Sequence, residues 1–235
     1  MSNAKPPLHK TPAAAIREVV RDRVILGEYE FYIEKPTASD DLLDHPAIHS
    51  AFASDEYMPY WADIWPAARM LAKTILAEPW APNLRALEIG CGLGLPGIAA
   101  MARGLHVTFS DYDATAVEFA ERNARLNGFH EFELLPFDWR TPPADLRYDV
   151  LLASDLTYEA RHIEPLVALL QHALIPGGLC LWTDEDRPPA KQFRDELERL
   201  GWPVESKLVR AGVPGGDRHR GTLYRIRRPE NPRSL

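Results

Sequence analysis

Three acids, Asp111, Asp138 and Asp155, each follow a short apolar run, and a fourth, Glu88, sits inside residues 86–97, ALEIGCGLGLPG. There Ala86, Leu87 and Ile89 lead into Gly90, Cys91, Gly92 and Gly94, and an apolar helical pattern begins near Ile98. The pattern is a strand, a tight glycine turn and a helix start. Glycines let the backbone turn sharply and let a ligand approach with no Cβ in the way. The new helix presents unpaired N–H groups and the positive end of its dipole to an anionic group. A carboxylate at the end of the next strand can accept two hydrogen bonds, as the paired hydroxyls of a ribose require. Together these residues describe a nucleotide-cofactor loop.

Two cofactors fit the glycines. Gly92-x-Gly94-x-x-Gly97, with Asp111 about 20 residues on from its first glycine, matches the dinucleotide pattern. Glu88-x-Gly90-x-Gly92-x-Gly94 fits the turn of S-adenosylmethionine (SAM) methyltransferases equally well. Asp111 serves a ribose under either reading, or else caps the following helix. A purely structural turn is the third possibility.

The 235 residues suffice for one large α/β domain plus an extension. With 46% hydrophobic and 26% charged residues the composition is that of an ordinary globular chain. No apolar run reaches the roughly 18 residues of a membrane span, and no secretory signal pattern opens the chain. Ser2-Asn3-Ala4 reads as an expression remnant. Cys91 and Cys180 cannot form a disulfide framework, so a reduced, cytoplasmic protein is expected. A net charge of -7 opposes nucleic-acid binding. The charge is uneven: Asp40, Asp41, Asp44, Asp55, Glu56 and Asp63 crowd the early part, while Arg218, Arg220, Arg225, Arg227 and Arg228 make the C-terminus basic. His45, His49, His162 and His172 lack metal-like spacing, and no metal site is expected.

The elements that must position the acids follow from periodicity. Residues 5–20 read as a loose arm, residues 24–33 as a small hairpin around Gly27, and Ser39-Asp40-Asp41 as the start of a helix running towards Phe52. Pro66 opens a helix that carries Leu71, Ile75 and Leu76, behind the aromatic cluster Tyr57, Tyr60, Trp61 and Trp65. That cluster is core packing, or one indole lines the cofactor pocket. Residues 106–110 form a second strand ending in Asp111-Tyr112-Asp113, and a helix then runs to Asn127-Gly128. Residues 132–136 form a third strand before Asp138-Trp139, and residues 148–153 a fourth before Ser154-Asp155-Leu156-Thr157-Tyr158. Pro176-Gly177-Gly178 turns into a fifth strand at 179–183; a helix at 191–200 and strands at 204–209 and 222–226 complete the series. Strands alternating with helices give a parallel sheet covered on both faces, with the ligand outside the carboxyl ends of the strands. Gly90, Asp111, Asp138 and Asp155 all lie at such ends, so they converge on one pocket.

Trp65-Pro66-Ala67-Ala68, the glycine stretch 87–97, Asp138-Trp139 and Asp155-Leu156-Thr157-Tyr158 together resemble the class I, seven-β-strand SAM-dependent methyltransferases. Within that class they look most like the protein lysine methyltransferases with a D-x-x-Y motif, which act on chaperones, valosin-containing protein and the electron-transfer flavoprotein β-subunit. The resemblance covers roughly residues 57–183. It implies a Rossmann-like, doubly wound sheet of order 3-2-1-4-5-7-6 with strand 7 antiparallel, after a hairpin and helix extension over residues 1–56. It also implies SAM contacts at Trp65, Glu88, Gly90, Cys91, Gly92, Gly94, Asp111, Tyr112, Asp138, Trp139 and Ser154. Asp155 and Tyr158 fall at the edge of the substrate site. The implied acceptor is a lysine amine of a protein, with a small amine or heterocycle as the alternative and a non-catalytic SAM-binding module as a remote one. A monomer, with no nucleic-acid or membrane partner, is expected. Asp155 alternatively caps a helix beginning near Glu159, and Tyr158 alternatively serves packing.

Overall fold

The protein is described by a computed structural model that covers residues 8–37, 42–213 and 216–230. Its first element is an antiparallel hairpin, β1 (Val19–Leu26) and β2 (Tyr29–Pro36), longer at both ends than the alternation around Gly27 predicts. Val24, Leu26, Phe31 and Ile33 point inward and are buried. The outer edge of β2 is satisfied by side chains rather than a strand. Asn127 donates to Tyr32 O (2.7 Å) and accepts from its N–H (2.9 Å), and Asn123 does the same at Glu34. Two asparagines thus close a row of backbone groups that would otherwise be an open edge.

Helix α1 (Pro46–Asp55) is capped by the His45 side chain, which accepts from Ala47 N–H. The start expected at Ser39-Asp40-Asp41 lies outside the described residues. Helix α2 (Pro66–Ala77) opens on Pro66 as expected. The main sheet follows: β3 (Arg85–Ile89), α3 (Leu95–Ala102), β4 (His106–Ser110), α4 (Ala114–Leu126), β5 (Glu133–Leu134), β6 (Tyr148–Ser154), α5 (Ile163–Ala173), β7 (Leu174–Asp184), α6 (Pro188–Arg199), β8 (Val204–Gly212) and β9 (Arg218–Arg227). Its order is β5-β4-β3-β6-β7-β9-β8, with β9 antiparallel to both neighbours. In sequence ranks this is 3-2-1-4-5-7-6, the expected doubly wound order.

Three expectations need correction. The third strand spans only Glu133–Leu134, both exposed on an edge, because Pro136 cannot donate to a ladder. Pro176-Gly177-Gly178 is not a turn ahead of the fifth strand but a bulge inside it: Tyr148 pairs with Leu174, and Val150 already pairs with Leu179. The arm is not loose where described. Thr11 N–H donates to Asp113 Oδ1 (3.1 Å), its hydroxyl reaches Asp113 Oδ2, and Tyr57 Oη donates to the same oxygen. Asp113 also caps α4 by accepting from Thr115 N–H at 2.8 Å. One buried carboxylate therefore ties together the arm, the segment before α2 and the start of α4.

Candidate active site

The carboxyl ends of β3, β4 and β6 open into a cavity of about 660 Å³, walled on the opposite side by α1 and the segment leading to Trp65. Gly90 follows β3 with φ +59°, and a Cβ there would lie 2.5 Å from Leu156 Cδ2, so a side chain would add backbone strain and displace Leu156. Cys91 N–H donates to Ser110 O (2.9 Å) and Gly92 N–H to Asp111 Oδ2 (2.9 Å), which fixes the loop against β4. Gly94 begins α3 at φ +81°.

Glu88 stands behind this loop and does not line the cavity. Its Oε2 accepts from Gly97 N–H at 2.9 Å, and a Cβ at Gly97 would meet that oxygen at 2.5 Å and Phe109 at 2.4 Å. The acid thus satisfies an orphan donor at the first turn of α3. Burial pushes its pKa well above the ordinary value. Its placement makes it a residue that holds the loop rather than a wall of the cavity. Cys91 lines the cavity as a thiol, since burial raises its pKa well above the ordinary value.

Asp111 lies at the cavity edge. Besides Gly92 N–H, it accepts from Asp113 N–H at 3.0 Å, and burial pushes its pKa up to about 6 despite these donors. The helix cap is Asp113, two residues on, so Asp111 is not the cap. Tyr112 also faces the cavity, and its hydroxyl donates to Asp55 at the end of α1 (3.1 Å).

Asp138 and Trp139 line the cavity beyond β5. Both Asp138 oxygens lie 2.9 Å from Arg140 Nε, and Oδ1 also accepts from Arg140 N–H at 2.8 Å. The same guanidinium forks onto Asp55 with two contacts of 2.8 Å. That pairing, Arg140 first, draws the Asp55 pKa down. Arg140 thereby joins α1 to the loop that carries Asp138.

Asp155 follows Ser154, the last residue of β6, and both line the cavity. Its backbone is held at φ +58°, a left-handed conformation that Asp tolerates better than most residues. Its N–H donates to Thr183 O on β7 (2.8 Å), and Oδ2 takes Arg187 Nη2 at 2.7 Å. Oδ1 is buried with no hydrogen-bond partner among the described residues. Burial lifts the Asp155 pKa to about 6; Arg187 opposes this, and Asp184 and Glu185 add to it. Asp155 caps no helix: the helical turn Ala160–His162 begins on Glu159 and has no side-chain cap. Tyr158 stands edge-on to Tyr60 (5.4 Å between centroids) and to His162 (4.8 Å), with its pKa raised chiefly by burial. Tyr60 in turn meets Trp65 at 5.9 Å, and His162 meets Trp139 at 5.4 Å. A row of five rings thus runs along the mouth from Trp65 to Trp139.

The structure therefore brings together every expected site residue except Glu88. Arg140 and Arg187 were not anticipated: Arg140 meets Asp55, and Arg187 meets Asp155, only through the fold, and neither carries a local motif.

The strand order, with Asp111 beside a glycine loop at the carboxyl edge, is that of a class I methyltransferase fold. Solved structures agree. The N-methyltransferase NodS of Bradyrhizobium japonicum, in complex with S-adenosyl-L-homocysteine, superposes with TM-score 0.59 at 17% identity over 78% of this chain and 97% of that one. The ribosomal protein L11 methylase of Lactobacillus delbrueckii gives TM-score 0.53 at 20% identity over 69% and 79%. A family model described as lysine methyltransferase matches residues 55–199, and the chain belongs to that SAM-dependent family. Protein-lysine methyltransferase METTL21E of Bos taurus is 27% identical over 66% of this chain and 58% of its own. The electron transfer flavoprotein beta subunit lysine methyltransferase of Danio rerio is 30% identical over 58% and 53%. The histidine protein methyltransferase 1 homolog of Dictyostelium discoideum is 32% identical over 41% and 33%. The chain thus spans between one third and three-fifths of these relatives.

The cofactor is SAM, and the residues present fit it. Gly90, Gly92 and Gly94 line the cavity in a turn of positive φ whose missing Cβ atoms would meet Leu156, Trp61 and Ala120, and Asp111 lines the same cavity. The described residues contain no group of three or more His, Cys, Asp or Glu that could hold a metal ion. None of their helices is long and apolar enough to cross a membrane.

Proposed function

We propose that the protein transfers a methyl group from SAM to the side-chain amine of a lysine in a protein substrate. The observation that carries this reading is Asp155, an acid with one oxygen unpartnered, buried beside a row of rings in the cavity that the glycine loop enters. Gly90, Gly92 and Gly94 would receive the cofactor, Asp111 its ribose and Trp139 its base. Bound there, the cofactor supplies an electrophilic methyl group on a sulfonium.

The residues of this chain then have to deliver a neutral amine in line. A lysine amine with a pKa near 10.4 is charged at neutral pH and has no lone pair. Apolar and aromatic walls penalise that cation and lower its pKa. Asp155 would hold and orient the entering ammonium and Tyr158 would present its ring to it; its proton would pass to water at the open mouth, leaving the neutral amine aligned with its lone pair free. Arg187 now occupies one Asp155 oxygen, so the entering cation meets the other or displaces the guanidinium. Phe52, Tyr60 and Trp65, each more than a third exposed at the mouth, leave room for an acceptor too bulky for a closed cage, and so favour a protein over a small amine.

The test is transfer of labelled methyl from SAM into a cell extract by wild type and by Asp155→Asn, a change that keeps a residue tolerant of left-handed backbone. The reading predicts a labelled protein band that the variant loses by about a hundredfold or more while its SAM affinity stays within a few-fold. Collapse of SAM binding in Asp155→Asn would instead make the residue a cofactor or structural group.

A further inference from the structure

The basic C-terminal run separates into two sets. Arg225 is bound by Glu78 (2.6 and 2.9 Å), and Arg228 donates to the Leu174 carbonyl. Arg218 and Arg220 on β9, with Arg210 on β8, are exposed and have no carboxylate within 4 Å among the described residues. Arg210 and Arg220 are direct cross-strand partners, and Arg218 lies two residues further along the same face. Like charges placed opposite one another on a sheet destabilise it. No carboxylate among the described residues compensates them.

Their position matters as much as their charge. The last residue of β7, Asp184, pairs with Thr222, but β8 and β9 continue for four more pairs, ending at Gly212 and Arg218. Since β9 is antiparallel to both neighbours, β8 runs parallel to β7, and this extension projects beyond the carboxyl edge of the sheet. The candidate active site lies at that edge. The base of the ribbon is fastened to the loop carrying Arg187, through Thr222 Oγ1 donating to Asp186. β8 is also the last strand of the sheet, so its outer backbone groups face no partner strand.

We infer that this ribbon is a docking surface for an acidic, extended segment of the protein substrate, lying along β8 with its carboxylates on Arg210, Arg218 and Arg220. The inference rests on the protein-methylating reading above. An added strand gains main-chain hydrogen bonds from the open edge, and exposed Leu208 and Val213 offer apolar contacts on either side of the charges. These features favour peptide over nucleic acid. Single-stranded nucleic acid is bound by aromatic stacking platforms, and the ribbon exposes aliphatic residues while its one tyrosine, Tyr224, is buried. The net charge of -7 also opposes a polyphosphate.

The test uses the full chain and Arg210→Gln/Arg220→Gln. Fluorescence anisotropy would follow a short labelled peptide of Asp and Glu interrupted by Leu, its Lys counterpart and an RNA oligonucleotide. The acidic peptide is expected to bind wild type and to bind the double variant about tenfold more weakly. The variant should keep its SAM affinity and melt no lower than wild type, because a repulsion has been removed. Methyl label entering proteins of a cell extract should fall with peptide binding. Unchanged peptide affinity in the variant, no binding to wild type, or tighter binding of the RNA would each overturn the inference. If the peptide binds as expected but wild type labels no protein, the docking surface stands and the methyl-acceptor reading falls. If proteins are labelled without peptide binding, the reverse holds.

Discussion

Asp111 and Asp155 are carboxylates whose pKa values burial moves to about 6, and both face the cavity. A raised pKa in the folded state means that the protein binds more protons than the unfolded chain between about pH 4 and 6. These two acids therefore add stability as pH falls through that window, the reverse of surface carboxylates paired with arginine. On the proposed ribose contact, cofactor binding runs the other way, since ribose hydroxyls would donate best to an ionised Asp111. Titration calorimetry should show SAM affinity about tenfold weaker at pH 5 than at pH 7 or above. In Asp111→Asn the affinity should be weak and flat across the range. A wild-type profile without this inflection would remove Asp111 from the ribose. At Asp155 the left-handed backbone and the Arg187 pair make Asn the informative substitution, with Ala adding strain to the loss of charge.

At the scale of elements, two small features hold the site in shape. Asp113 is fully buried and serves the arm, Tyr57 and the cap of α4 at once. Asp113→Ala should cost about 3 kcal/mol by leaving buried donors unpaired and removing a helix cap. A thermal melt checks this, and Tyr57→Phe, which removes one of those donors, should cost clearly less. Gly97→Ala places a methyl against Glu88 and Phe109, so SAM affinity should fall by at least about tenfold as the first turn of α3 shifts. An unchanged affinity would show that the loop can absorb the methyl. Much at this scale was legible in the sequence. Alternating apolar runs and glycine turns are local signals, and they gave the series of strands and helices together with the convergence of Gly90, Asp111, Asp138 and Asp155, while the strand order came with the family resemblance. What was not legible is non-local. Arg140 reaches Asp55 across 85 residues and Arg187 reaches Asp155 across 32, and no periodicity announces such a partner. The docked arm was hidden for the same reason, because Pro and Ala at 12–15 say nothing about the Thr11 hydroxyl. Glu88 was legible as an important acid, but its direction, away from the cavity, depends on the Gly97 N–H that only the folded loop presents.

For the whole molecule, a doubly wound sheet sets the cofactor loop, the acid of β6 and the basic β8–β9 ribbon on one edge. On the proposed function, the ring-lined mouth and the ribbon would give a protein acceptor two places to engage, one for the reacting side chain and one for its flanking sequence. The most direct measurement is the identity of the methylated group. Proteins labelled from SAM by the wild-type enzyme would be hydrolysed and their amino acids separated. The account predicts label in Nε-methyllysine, absent when Asp155→Asn replaces wild type. Label in methylhistidine, or recovered only with small molecules or nucleic acid, would contradict it.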